Sequence, residues 1–516
     1  MAVNRNMTPF DRRASPIRWI GTALSALVPA AGLLSVPILA EPSPDFSAVV
    51  SQMRDRTTAG VPSIAIAVAR HGRVIWEHAE GISDREGKIK ATVHTPYYLA
   101  SVSKTITATA LMALVERKKV DLNQPVNRYL RTAKLSSPLW DVSQATVWRV
   151  ANHTAGLATY DRGCREDDSK CDPSPTSAIR RYGVVVWPPG KYFDYSNLDY
   201  GILGEAVAQV SGVDLGRSLR RLVFEPLGMT DCSLGPRADR KNPPAARYDQ
   251  APPFVRRPPG LSTTPGASAL YCSVHDLATF GMFHLKDHLS SQKQLLSDRT
   301  IELMQANSLD PKEQSQYGLG WWVQPDLHGF RGVQAQGGTS DATAYVQLIP
   351  SEDIAVAMLW NAGTPDGAEL IDQVLSAILP QYRENLGHPK QADSQRRALV
   401  EPKTPTGMIG AWIGFVQTDL GRVPLTVTID GSGGLVAKLG SEPEVQAHPT
   451  LFGGALRWNM PGFLGVEGDP LDLAMRLYLY DNVLAGAART SPSPSGRQGP
   501  LVYYWVQAEK GANMVW

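Results

Sequence analysis

The sequence predicts a mixed α/β (α+β) chain: an antiparallel sheet flanked by helices, with a helical domain inserted, followed by a small all-β domain. Apolar strand-like runs lie near both ends of residues 61–380, while helical periodicity fills the middle. A sheet drawn from both ends of a segment, with helices inserted between, satisfies both patterns. From about residue 406, short strands alternate with Gly-rich turns, as in an antiparallel barrel or meander. A polar stretch at 385–405 separates the two parts. At 516 residues the chain is also too long for one ordinary core. The expected division is a leader at 1–40, a large domain at 41–384, a linker at 385–405 and a β domain at 406–516.

Taken in order, Arg5, Arg12, Arg13 and Arg18 precede an apolar run from Trp19 to Ala40. That is a secretory signal, and Pro29 and Pro37 favour cleavage over a retained membrane anchor. A periplasmic or secreted protein is expected, with membrane anchoring only if the signal is kept. Residues 46–57 read as a helix, and 63–69 with 74–76 as a hairpin around His71-Gly72. Residues 97–119 read as a turn and a helix whose buried face carries Ile106, Ala110, Leu111, Leu114 and Val115. Trp187-Pro188-Pro189-Gly190 is a rigid turn ahead of a helix at 198–210 closed by Gly212, and Ser273 opens a helix running to about Leu285. Strands return at 318–323, 342–348 and 354–360, and a helix at 369–379 ends before Pro380. In the β domain, strands are expected at 425–429, 473–479 and 501–506, with a loop at 490–498.

Composition excludes several functions. Fifty-one basic and 49 acidic residues give a net charge of +2, so a nucleic-acid partner is not expected. The four cysteines, Cys164, Cys171, Cys232 and Cys272, suit an oxidising compartment, with three possible pairings. There is no C-x-x-C and no H-E-x-x-H, and His284 and His288 read as part of an amphipathic helix. No metal and no cofactor is expected.

The chemistry centres on Ser101 and Lys104, at the start of the first buried helix. A serine hydroxyl keeps its proton at neutral pH and is a weak nucleophile unless a base takes that proton. A lysine one helical turn on, in a desolvated pocket, can lose its charge and be that base. The helix N-terminus adds free backbone N–H groups. The same four-residue spacing recurs at Ser290 and Lys293, in the polar run SSQKQ, and there it reads as a solvated turn.

Between Val61 and Pro380 the chain resembles the serine hydrolases of the class C β-lactamase and penicillin-binding-protein type, including D-aminopeptidases and esterases. Ser101-Val102-Ser103-Lys104 matches that family's first motif and Tyr195-Ser196-Asn197 its second. Residues 153–157 (HTAGL), 226–229 (PLGM) and 317–322 (YGLGWW) match minor signatures in order. Tyr480-Asp481-Asn482 also fits the second motif but reads as a hairpin turn. The resemblance implies Ser101 as nucleophile, Lys104 and Tyr195 as base and proton shuttle, and Asn197 holding the substrate or Lys104.

The third motif departs from the family, which places Lys or His, any residue, Gly and a small residue on the strand lining the cleft. The best match is Gln336-Gly337-Gly338-Thr339, with Gln336 at the cationic position and the Thr339 N–H joining that of Ser101 as oxyanion hole. A register one residue earlier puts Ala335 at the cationic position and Gly338 in the oxyanion hole, and turns Gln336 to the opposite face. Either register lacks the cation, which favours an ester or amide of modest charge over an anionic β-lactam. The expected partner is therefore a small-molecule or peptide ester or amide. The alternative is a degenerate cleft kept for binding. An α/β-hydrolase is excluded because no G-x-S-x-G occurs. The C-terminal part resembles the lipocalin-like domains appended to some members.

Overall fold

The computed structural model describes residues 44–164, 172–237, 241–309, 316–363, 367–387, 405–418, 420–462, 464, 471–491 and 501–511. The expected signal at 1–40, most of the linker at 385–405 and most of the loop at 490–498 lie outside the described residues.

A seven-stranded sheet is built from strands β1 (Ser63–Arg70), β2 (Arg73–Asp84), β3 (Ile89–Lys90), β4 (Trp322–Leu327), β5 (Phe330–Thr339), β6 (Ala342–Ile349) and β7 (Ile354–Trp360). Its order is β4-β5-β6-β7-β1-β2-β3, so β1 pairs with β7 across almost 300 residues of sequence, antiparallel from Ile64↔Trp360 to Arg70↔Ile354. This is the sheet expected from both chain ends. The β1 sequence SIAIAVAR explains its packing. Ile64, Ile66 and Val68 meet Met358 and Trp360 of β7 under two helices, α1 (Ser47–Thr58) and α5 (Gly367–Ile378). Ala65, Ala67 and Ala69 face the inserted helices. Small residues on that face allow close approach: a Cβ on Gly281 of helix α4 (Val274–Leu285) would lie 2.5 Å from the Ala355 Cβ. Ser273 caps α4, its Oγ accepting from the Asp276 N–H at 3.1 Å.

Two helices of the inserted region matter for the site: α2 (Ser103–Glu116) and α3 (Asn197–Ser211), the latter ending on Gly212 in the left-handed conformation (φ 72°). The structure moves two expected boundaries. Residues 318–321 are irregular, with a bend at 319–320, rather than strand, because Gly320 (φ 86°) packs against α2, where a Cβ would meet Ala108, Thr105 and the Lys104 carbonyl at 3.0–3.2 Å. Pro380 stops one helix but begins another, α6 (Pro380–Gly387), at the first helical position where its missing N–H costs nothing.

The C-terminal strands are β8 (Gly410–Thr418), β9 (Gly421–Ile429), β10 (Leu435–Leu439), β11 (Val445–Ala447), β12 (Thr450–Phe452), β13 (Ala455–Gly462), β14 (Leu471–Tyr480), β15 (Val483–Ser491) and β16 (Tyr503–Lys510). They form one curled antiparallel sheet, ordered β11-β10-β9-β8-β16-β15-β14-β13-β12, with the last strand inserted beside the first. Alternation is clear in β9, where Leu425, Val427 and Ile429 are buried between exposed residues. The sheet touches the inserted region directly. Asp161 and Leu501 exchange backbone hydrogen bonds of 2.8 and 2.9 Å, and the Tyr503 hydroxyl donates to the Tyr182 carbonyl.

Candidate active site

The segment before Ser101 is fixed from three sides. Tyr97 and Tyr98 pair with Cys272 and Tyr271, Cys272 is disulfide-bonded to Cys232, and the Leu99 N–H donates to the Leu270 carbonyl at 2.8 Å. Ala100 then takes a left-handed conformation (φ 44°), which costs a residue with a Cβ about 1–3 kcal/mol and persists only where surroundings enforce it. Ser101 itself lies on a 3-10 turn, Ala100–Val102, ahead of α2 rather than on the helix. Every residue of α2 from Ser103 to Leu114 is buried. Its threonines are satisfied inside the protein: Thr105 on the Val102 carbonyl, Thr107 on the Gly266 carbonyl and Thr109 on the Thr105 carbonyl, at 2.7–2.8 Å.

Lys104 is 1% exposed. Its Nζ lies 2.9 Å from the Ser101 Oγ, 2.6 Å from the Asn197 Oδ1 and 3.3 Å from the Ala267 carbonyl. Asn197 opens α3, and its Nδ2 donates to the Asp161 Oδ1 at 2.9 Å, so the amide is held at both ends. Behind these groups is a pair of which the sequence motifs contain only His153. His153 Nδ1 lies 2.6 Å from the Asp199 Oδ2, both fully buried. Burial holds Asp199 well above the carboxylate range and His153 well below the imidazole range. The Ser196 N–H also points at Nδ1, at 3.3 Å, and burial favours the uncharged form of both partners. Among the described residues no ionised carboxylate touches Lys104.

Tyr195 meets this group with its ring. The Lys104 Nζ sits 4.7 Å from the ring centroid, His153 lies at 4.5 Å, and Trp322 stacks at 5.6 Å. Tyr317 contacts the same ring edge-on. Among the described residues no hydrogen bond joins the Tyr195 hydroxyl to Ser101 or Lys104. Its half-buried ring nonetheless forms one wall of the Lys104 pocket.

The third motif takes the earlier register. Gln336 pairs with Tyr345 across β5 and β6, and its Nε2 donates to the Tyr345 hydroxyl at 2.7 Å. Tyr345 belongs to the face packed beneath α1 and α5, so Gln336 points away from Ser101. The expectation that Gln336 occupies the cationic position is therefore corrected: a strand alternates its side chains, and the neighbouring Gly337 claims the inner face. A Cβ on Gly337 would lie 2.2 Å from the Leu99 carbonyl and 2.9 Å from the Ser101 N, whereas one on Gly338 would meet nothing within 4 Å. Ala335, two residues before Gly337 on the same strand face, is 3% exposed and packs in the core with Leu99 and Val102. Thr339 is drawn to the turn, its Oγ1 donating to the Asp341 Oδ1 at 2.7 Å. Pairing of β5 with β4 reaches no further than Gln334↔Trp322, so among the described residues one edge of residues 335–339 carries no strand.

Other sequence readings find their places. Ser290 and Lys293 are exposed in an irregular turn. Tyr480-Asp481-Asn482 forms the β14–β15 hairpin turn, with Asp481 at φ 51°. His284 is buried against Thr109 Oγ1 at 3.0 Å and burial pushes it down to about 3, while His288 is exposed beside Asp298. Cys171 lies outside the described residues. Sequence spacing also misses a cluster of Glu77, His94 and His275, three elements whose ligand-type atoms lie within 4.8 Å of one another. Two hydrogen-bonded pairs lie within it or beside it: His275 Nδ1 with the Glu77 carboxylate and His94 Nδ1 with that of Asp231, both at 3.0 Å.

A model of the Beta-lactamase family matches residues 46–378. Similar proteins include Esterase EstB of Burkholderia gladioli, 33% identical over 199 residues, 35% of this chain and 48% of the esterase. Another is Unguisins hydrolase ungD' of Aspergillus campestris (strain IBT 28561), 28% identical over 368 residues, 66% of each chain. The chain thus spans 48% to 66% of the length of these curated relatives. Two solved structures share the fold. The octameric penicillin-binding protein homologue from Pyrococcus abyssi has a TM-score of 0.56 and 21% identity, over 90% of this chain and 100% of that one. A class C β-lactamase has a TM-score of 0.52 and 17% identity, over 66% and 96%. The matched span runs from α1 to the end of α5, enclosing the whole seven-stranded sheet, Ser101, Lys104 and the His153–Asp199 pair, and by it the chain belongs to the β-lactamase family of serine hydrolases.

Proposed function

We propose that this protein is an exported, periplasmic or secreted serine hydrolase that cleaves an ester or amide of modest charge through an acyl-enzyme on Ser101. The observation that carries the reading is the buried Lys104 Nζ, 2.9 Å from the Ser101 Oγ with two further acceptors around it. As the base, Lys104 takes the Ser101 proton on Nζ, while the Asn197 Oδ1 and the Ala267 carbonyl accept its N–H groups. Ser101 Oγ then bonds to the acyl carbon as its proton passes to Lys104. Collapse of the tetrahedral species breaks the ester or amide bond, and the leaving alkoxide or amine takes that proton, with the Tyr195 hydroxyl as its carrier. Water repeats the sequence, releasing the acid and restoring Ser101. The Ser101 and Gly338 N–H groups serve as oxyanion donors, since Gly337 packs the strand onto Ser101. Ala335 brings no charge to the cleft, so esterase or D-amino-acid amidase activity is favoured over β-lactamase activity.

A second reading, a binding module in a silent cleft, draws on the Tyr195 hydroxyl, which bonds to neither Ser101 nor Lys104. Intact mass after treatment with a fluorophosphonate separates them. One adduct, absent in Ser101→Ala, is expected; a folded protein that takes no adduct refutes the hydrolase.

A further inference from the structure

Three arginines converge where the C-terminal sheet meets the second motif. A cavity of about 350 Å³ is lined by Arg457, Arg476, Arg489, Trp187, Trp458 and Asp194. Arg476 is engaged: its Nη1 donates to the Asp194 Oδ2 at 2.9 Å, its Nη2 to the Tyr478 hydroxyl at 2.6 Å, and its guanidinium lies over Trp187 at 4.7 Å. Thr159 Oγ1 donates to the other Asp194 oxygen at 2.5 Å, which completes that carboxylate. Among the described residues neither Arg457 nor Arg489 forms a close ion pair, and the carboxylate whose charge reaches both is Asp194, already held by Arg476. The Arg457 Nε is buried without an acceptor, and its guanidinium lies over Phe452 at 4.6 Å. Among the described residues lining the space, three guanidinium groups thus face one carboxylate, and His448 is the remaining titratable group. Burial and the charge of Arg476 disfavour the Arg457 cation, and Tyr478 and the shared Asp194 offset them only in part, a deficit that a bound anion would make up.

We infer that this cavity binds an organic anion, a carboxylate or phosphate on an apolar body. The acid group would lie between Arg457 and Arg489, and the apolar part against Trp187 and Trp458. Guanidinium groups match such acids with two parallel hydrogen bonds, and the indoles supply flat apolar walls. The inference stands whether or not Ser101 is the nucleophile. It has a consequence for the cleft, because Asp194, held by Arg476, immediately precedes Tyr195. The anion is either the remote acid of the substrate or a separate ligand.

The test is calorimetric titration of the full chain with phenylphosphonate and with benzoate, using benzamide as the neutral control. Saturable one-site binding of both acids, none of benzamide, and at least a tenfold weaker affinity in the Arg457→Gln/Arg489→Gln double variant are expected. Turnover of 4-nitrophenyl acetate by that variant should match the parent. Should the double variant not fold, phenylglyoxal labelling of the unmodified protein reads the same site, with phenylphosphonate expected to protect Arg457 and Arg489. Absence of saturation, equal affinity in the folded double variant, or unprotected arginines overturns the inference. Paired esters with and without a terminal carboxylate then tell the sources apart. A raised KM for the acidic ester alone identifies the substrate's own acid, and unchanged KM for both identifies a separate ligand.

Discussion

Two stretches of this chain share the spacing Ser-x-x-Lys, and the structure treats them in opposite ways. At 101–104 the lysine is 1% exposed and its nitrogen is ringed by the serine, an asparagine and a carbonyl. At 290–293 both side chains are exposed in a turn whose neighbours are polar. In the first, the serine follows a strained residue and leads into a wholly buried helix. In the second, no hydrogen bond joins the serine to the lysine among the described residues. The spacing only allows the two groups to meet; burial and third-party acceptors decide whether they do.

The sharpest way to break the comparison is to mutate both copies. Ser101→Ala and Lys104→Ala should each lower kcat/KM for an ester by about a thousandfold or more, with the melting temperature nearly kept. Ser290→Ala and Lys293→Ala should leave kcat/KM within about twofold, as surface changes do. Equal losses at the two copies would sink the assignment.

The two faces of β5 offer the next contrast. Gly337→Ala brings a Cβ to 2.2 Å from the Leu99 carbonyl, so the strand must retreat from Ser101. Activity should fall by about a hundredfold, as expected when one oxyanion donor is displaced. Gly338→Ala enters open space and should leave the melting temperature within a few degrees. A Gly337→Ala protein as active as the parent would contradict the packing described here.

Buried and exposed carboxylates extend the comparison to pH. Asp276, buried beside Asp231, is raised to about 7, chiefly by burial, whereas exposed Asp430 is lowered by its hydrogen bond from Ser432. A raised carboxyl favours folding below its ordinary value of 3.8, and that advantage is lost as pH rises through about 7. Asp276→Asn should therefore gain in melting temperature relative to the parent between pH 4 and pH 8. Parallel pH profiles for the two proteins would refute the shift.

The smallest effect is expected at Gln336. Because its side chain bonds Tyr345 on the outer face, Gln336→Ala should change kcat/KM by less than about twofold, and Gln336→His should not raise turnover of carboxylate-bearing substrates. A clear gain with histidine would restore the register that the structure rejects.

Much was legible before any coordinates. Alternation in SIAIAVAR, helical spacing after Ser101 and Gly-punctuated strands beyond residue 406 carry the sheet, the buried helix and the C-terminal β sheet, because each pattern is local and has its own period. Ser101, Lys104 and Asn197 were legible as motif positions, and the structure brings them within hydrogen-bond reach. What the tertiary structure decided is whatever depends on partners far apart in sequence. Spacing cannot show that His153 meets Asp199, that Asn197 reaches Asp161, or that Arg476 reaches back to Asp194. Nor can it choose between two strand registers one residue apart, since both keep the glycines. The pairing of Gln336 with Tyr345 makes that choice, through contacts that neither residue's neighbours encode.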